Sequence, residues 1–137
     1  MASLAVVFAA CGGTAATPLA EESEGPTASQ APVAGARTVD LEIGSGSITP
    51  ASVDVTKGET ITFVAKNVSP DEVELIVGTQ TDVDADSGDS LKEAEHIAPG
   101  ASGSVTYTFD GDGPYAYGDQ EGDHYGKGAK GVIVLKP

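Results

Sequence analysis

Apolar and polar residues alternate over much of the chain, which predicts short β-strands. The pattern is clear in Val39–Ile43 and in Thr60–Lys66, where Ile61, Phe63 and Ala65 fall on one face. A period of two is typical of a strand with one buried face. The same alternation or an apolar run predicts further strands at Val53–Val55, Val73–Val77, Ser102–Phe109, Tyr115–Tyr117 and Val132–Leu135.

Turn signals separate these strands. They include Lys57-Gly58-Glu59, Pro99-Gly100 and Asp110–Gly113. About seven short strands at regular spacing indicate an all-β protein, an antiparallel β-sandwich. In the polar stretch between strands, Ser90–Glu95 predicts a short helical turn in the loop near 88–96, with Asp89 or Ser90 as its cap.

The first 37 residues differ in texture from the rest. Apolar and small residues lead to Cys11-Gly-Gly, which resembles a bacterial lipoprotein signal (residues 1–13) with Cys11 as the lipidated residue. No Lys or Arg precedes the apolar run, so an incidental cysteine in a short apolar terminus stays as the alternative. Residues 14–37 are mostly small or polar and predict a disordered tether. The folded domain is therefore expected at 38–137.

The charge and the cysteine count exclude several classes of function. The net charge is −14, from 21 acidic and 7 basic residues, and would repel nucleic acid. This negative charge either keeps the protein soluble or attracts a cationic partner or a divalent metal ion. The single cysteine excludes an intrachain disulfide. No catalytic motif stands out, so we do not expect an enzyme.

Several segments, in order, resemble cupredoxins, the blue copper proteins that include plastocyanin. The resemblance covers residues 38–137 and implies a Greek-key β-sandwich. It is carried by the Lys-Gly-Glu-Thr turn after a strand, the strand that ends in asparagine, the Pro-Gly turn and two glycine-led segments near the C-terminus: Val53–Thr60, Phe63–Asn67, Ile97–Ser102, Gly113–Tyr117 and Gly131–Val134.

The resemblance also implies where copper ligands would stand. A type 1 site uses two histidines, a cysteine thiolate and a weak axial methionine. The matching positions are Val73 for the first histidine, Asp119 for the cysteine, His124 for the second histidine and Ala129 for the methionine. Only His124 keeps its residue type, so the resemblance implies a cupredoxin with a degenerate copper site.

Two hypotheses about this loop follow. The first is a non-redox binding or structural module, in which His124 is a former ligand that is now packed or hydrogen-bonded. The second is copper or other divalent metal handling through His124, Asp119 and nearby acids, as a weak nitrogen–oxygen site. Electron transfer is the least expected function because the thiolate is missing.

A second candidate metal site lies in the acidic stretch. Asp82, Asp84, Asp86 and Glu93 occupy positions 1, 3, 5 and 12 of a calcium loop. Position 6 is Ser87 where such loops have glycine, so an acidic solvated loop is the alternative. His96, beside a turn, is interpreted as a solvated loop histidine.

These observations give the expected setting of the protein. We expect no bound cofactor, with copper or calcium as the alternative. We expect attachment to the extracytoplasmic face of a bacterial membrane through lipid on Cys11, and a protein partner at the loop end 117–129. Nucleic acid is not an expected partner.

Overall fold

The computed structural model describes residues 35–137, so the predicted signal, Cys11 and all but the end of the predicted tether lie outside the described residues. Within them, the chain forms two short helices, α1 (Gln80–Ala85) and α2 (His124–Lys127). It also forms nine strands: β1 (Arg37–Gly44), β2 (Ser47–Thr49), β3 (Ser52–Thr56), β4 (Thr60–Asn67), β5 (Val73–Thr79), β6 (Lys92–Ile97), β7 (Ser102–Thr108), β8 (Tyr115–Gly118) and β9 (Lys130–Lys136). The described helices include none that is long and apolar enough to cross a membrane.

The strands form two sheets that face each other, which confirms the predicted β-sandwich. One sheet has the order β2-β1-β4-β7 and the other has the order β3-β9-β8-β5-β6. Most neighbouring strands are antiparallel, as predicted, while β1–β4 and β3–β9 are parallel. The chain leaves the first sheet after β2, adds β3 to the second, and returns as β4. A return of this kind, unlike a tight hairpin, allows parallel neighbours.

The core lies between the sheets and follows from the alternation in the strands. In β4, Ile61, Phe63 and Ala65 are fully buried. The Phe63 ring packs on Tyr117 of β8, with ring centroids 5.8 Å apart, and edge-on against Phe109, at 6.2 Å. These contacts fix the end of β8, from which the candidate site extends.

The prediction of a helical turn near 88–96 was wrong. The helix lies earlier, in α1, where the Thr79 hydroxyl accepts a hydrogen bond from the Asp82 N–H. Most of the predicted turn is β6, an edge strand paired with β5. Ala94 and Ile97 of β6 are buried in the core. Pairing with β5 and burial of these two side chains outweigh the local capping signals at Asp89 and Ser90.

Helix α1 covers part of the outer face of the five-stranded sheet. Val83 is fully buried there and packs with Ile76 of β5 and Ala116 of β8. Tyr125 of α2 packs against the same small cluster. The two helices therefore lie on the same outer face of the five-stranded sheet, and α2 begins at His124 of the candidate site.

Candidate metal centre at the loop end

Asp119 and His124 form a buried pair at one end of the sandwich. Asp119 directly follows β8 and is fully buried, while His124 opens α2 and is 7% exposed. His124 Nδ1 lies 2.8 Å from Asp119 Oδ2. Of the four predicted copper-ligand positions, the structure thus brings together the two whose side chains carry a possible metal ligand.

The second carboxylate oxygen of Asp119 is held by the backbone. Asp119 Oδ1 accepts hydrogen bonds from the N–H groups of Glu74 and Glu121, each at 2.9 Å. The Asp119 N–H donates to the Ala129 carbonyl at 2.9 Å, and the Ala129 N–H donates to the His124 carbonyl at 3.0 Å. A buried carboxylate is costly unless donors surround it, and here each oxygen has its own partners.

Val73 and Ala129 lie beside this pair and supply no metal ligand from their side chains. Both are fully buried, and both side chains are hydrocarbon. Val73 precedes Glu74, whose N–H binds Asp119, and Ala129 binds the backbone of both Asp119 and His124. The four predicted ligand positions are therefore neighbours in space, but only two of them carry donor atoms.

The residues described do not fit a type 1 copper ion. Such an ion needs a thiolate, and residues 35–137 contain no cysteine. The carboxylate at the thiolate position already accepts from two N–H groups and contacts His124 Nδ1. Within the described part of the chain, the one group of three converging metal-ligating side chains does not include Asp119 or His124.

That group is an acidic cluster which the sequence did not predict. Ligand atoms of Glu74, Glu93 and Glu95 all lie within 4.8 Å of one another. Glu74 is on β5, and the other two are exposed residues of the neighbouring strand β6. Glu74 and Glu95 also line a cleft of about 260 Å³ together with Asp86, His96 and Glu121, which we call the acidic cleft.

The environment of Glu74 favours its neutral form. Partial burial raises the pKa of the Glu74 carboxyl to about 7, and the negative charges of Asp86, Glu93, Glu95 and Asp119 add to the rise. Desolvation and like charges both disfavour ionisation of a carboxyl. Near neutral pH, Glu74 is therefore only partly ionised.

The four residues of the predicted calcium loop are not brought together. No three of Asp82, Asp84, Asp86 and Glu93 converge in the described structure. Asp82 accepts hydrogen bonds from the Ser90 hydroxyl and N–H, and these hold the pKa of its carboxyl below the usual value. Asp82 and Asp84 lie on α1, Asp86 ends it and Glu93 is on β6, so the stretch is not one loop, and calcium binding there stays a prediction.

His96 and the loop end 117–129 are the other features named from the sequence. His96 is on β6, with its side chain 48% exposed and its Nδ1 3.9 Å from Glu72. It is solvated, as predicted, but it belongs to a strand and not to a loop, and it lines the acidic cleft. In the loop end 117–129, the Tyr125 hydroxyl donates to Asp84, and burial raises the pKa of that phenol.

Comparison with known proteins identifies the family. The model of the cupredoxin-like domain family matches residues 3–135. This chain belongs to the cupredoxin-like family. The sequence also resembles the copper-resistant cuproprotein CopI of Rubrivivax gelatinosus, with 28% identity over 96 residues, or 64% of this chain and 58% of that protein. The chain thus spans well under two thirds of the length of this relative.

Solved structures of blue copper proteins share the fold. Reduced auracyanin from Roseiflexus castenholzii has a TM-score of 0.64 at 24% identity, covering 75% of this chain and all of that one. Auracyanin A from Chloroflexus aurantiacus has a TM-score of 0.58 at 22% identity, covering 72% and 99%. At these identities the likeness establishes the fold and leaves the site to be judged from its own residues.

Proposed function

We propose that this protein is a cupredoxin-like lipoprotein that works without type 1 copper, as a binding or structural module outside the cytoplasm. The observation that carries the proposal is the closed pair of Asp119 and His124. Two of the four positions where a type 1 site would have ligands are buried hydrocarbon, and a third is a carboxylate already bound by backbone donors. A fold does not fix a function, which depends on the residues grafted onto it.

The test is the visible spectrum of the full chain with Cu(II). The proposal predicts no intense band, because that band requires a copper–thiolate bond. The chain's one cysteine, Cys11, is the proposed site of lipid attachment. An intense band in the wild-type protein that disappears in Cys11→Ser would overturn the proposal, because it would mean that a thiolate does bind the metal.

The second candidate function is copper or other divalent metal handling. It is favoured by the similarity to a copper-resistance cuproprotein and by the cluster of Glu74, Glu93 and Glu95. Three carboxylates suit hard divalent cations, and a nearby imidazole would favour Cu(II) or Zn(II). Under this hypothesis, metal binding through His124 Nδ1 or Asp119 Oδ2 would require their mutual contact to open.

Calorimetric titration with Cu(II), Zn(II) and Ca(II) separates the two functions. Metal handling predicts that Glu74→Gln with Glu93→Gln weakens binding at least about tenfold, since each change removes a charged ligand. Glu42→Gln, an exposed acid on β1 in the other sheet, is the matched control. Loss of binding in His124→Ala instead would place the metal at the Asp119–His124 pair. Equal affinity in all variants would refute both sites.

Location and partners complete the proposal. Lipid on Cys11 would hold the domain at the extracytoplasmic face of a bacterial membrane, and two or more acyl chains would make that attachment stable. A protein partner would meet the loop end 117–129, next to the acidic cleft. The strong negative charge supports a cationic partner and argues against nucleic acid.

A further inference from the structure

We infer that the Asp119–His124 pair takes over the mechanical role of a metal, as a latch that fastens the loop 119–129 to β5 and β9 with no ion bound. The inference rests on the proposed absence of type 1 copper. A metal holds separate segments together by drawing their ligands to one point. In this chain the residues at the ligand positions do not fit type 1 copper. The Asp119 carboxylate is instead the point at which the separate segments meet.

The hydrogen bonds of Asp119 reach each segment that the latch would hold. Its carboxylate accepts from the N–H of Glu74 on β5 and of Glu121 in the loop, and contacts His124 at the start of α2. Its own N–H donates to Ala129, directly before β9. Bonds that involve an ionised group are about twice as strong as neutral ones, so the carboxylate is the natural centre of this network.

Apart from the pair, the loop is held by Tyr125, which packs on the small cluster under α1 and donates to Asp84, and by the Gln120 side chain, which donates to the Val83 carbonyl. Helix α2 has only four residues, and the side chain of its N-cap, Asp123, caps none of the helix N–H groups. A helix this short is not stable alone, because forming the first turn fixes several residues for one hydrogen bond. Gly122, Gly126 and Gly128 add backbone freedom around it. The contacts of Tyr125 and Gln120 tie the loop to α1 and the outer sheet face, whereas the buried pair ties it to β5 and to the residue before β9.

Two backbone amides report directly on whether the latch is formed. In the described structure, the side chain of Asp119 is the acceptor for the N–H groups of both Glu74 and Glu121. The exchange rates of these two amide protons therefore report the state of the carboxylate directly. Exchange slows when an amide proton is held in a hydrogen bond that must open first.

The experiment is amide hydrogen exchange on the full chain in the presence of a chelator. We compare wild type with Asp119→Ala and with Asp123→Asn. Asp123 is an exposed acid of the same loop, paired with Lys127, so its change alters the charge but not the latch. We expect protected Glu74 and Glu121 amides in wild type and in Asp123→Asn, and exchange at least about tenfold faster in Asp119→Ala.

Two results would overturn the latch. One is rapid exchange of the Glu74 and Glu121 amides in chelated wild type, and the other is unchanged exchange in a folded Asp119→Ala. If that variant does not fold, ¹⁵N NMR of the His124 ring in the wild-type protein tests the latch instead. A slowly exchanging proton on Nδ1 supports the latch, and an unprotonated Nδ1 over pH 6–8 contradicts it. Neither outcome depends on the copper spectrum, so the latch and the proposed function fail separately.

Discussion

Replacing Glu74 with glutamine should remove a pH-dependent loss of stability. The folded state raises the pKa of the Glu74 carboxyl from 4.5 to about 7, chiefly by burial and then through Asp86, Glu93, Glu95 and Asp119. Between these two values the unfolded chain has lost the proton while the folded chain keeps it. The folded state therefore binds more protons, and its stability falls as the pH rises from about 5 to about 7.5.

The size of this effect follows from the shift. About 2.5 pKa units correspond to at most about 3.4 kcal/mol. Glu74 keeps partial contact with water, which screens its neighbours, so we expect about 1–3 kcal/mol. Glutamine has the same shape and does not ionise. The stability of Glu74→Gln relative to wild type should thus increase by this amount between pH 5 and pH 8.

Urea unfolding at pH 5, 6, 7 and 8 measures this difference. Subtracting wild type from Glu74→Gln cancels the titration of groups that the change leaves alone, and Glu42→Gln serves as the exposed control. A difference that stays constant within about 0.5 kcal/mol over this pH range would refute the argument, because it would mean that Glu74 ionises as freely in the folded as in the unfolded chain.

Other parts of the structure give further predictions. Val83→Ala empties a fully buried position under α1 and should lower the free energy of unfolding by about 1–3 kcal/mol in urea titration, while Val68→Ala, at a residue 55% exposed, should change it by less than about 0.5 kcal/mol. Gly88→Ala would put a Cβ 2.2 Å from the Asp82 carboxyl carbon at a φ of +135°, so it should lower the melting temperature by roughly 10 °C. Gly126→Ala, which meets no atom within 4 Å, should leave that temperature unchanged or raise it slightly; an equal drop in both glycine variants would contradict the steric argument.

Much of the fold could be predicted because apolar and polar residues alternate clearly in most of its strands. β4 shows Ile61, Phe63 and Ala65 on one face, and those side chains are all buried. Strand β6 was missed for the opposite reason. Its sequence is mostly polar, and only Ala94 and Ile97 turn inward. Since its other face meets solvent at the sheet edge, the strand is set by pairing with β5 and not by local preference.

Only the part of the candidate site that follows from residue spacing along the chain could be predicted. Asp119 and His124 were found from the cysteine-to-histidine spacing of the family, and they do meet. The sequence did not predict that Glu74, Glu93 and Glu95 form one cluster, because their proximity depends on the register between β5 and β6. That register shifts between Val73 and Leu75, and such an irregularity re-aims side chains in a way that no pattern along the chain reveals.

The most direct test of the account compares copper spectra of wild type and of a triple variant, Val73→His with Asp119→Cys and Ala129→Met. We expect no intense visible band for wild type. We expect such a band for the variant, because His124 and the three introduced side chains would together provide two histidines, a thiolate and a methionine. An intense band in wild type would contradict the loss of the type 1 site. A folded, copper-binding variant without the band would contradict the assignment of the four positions.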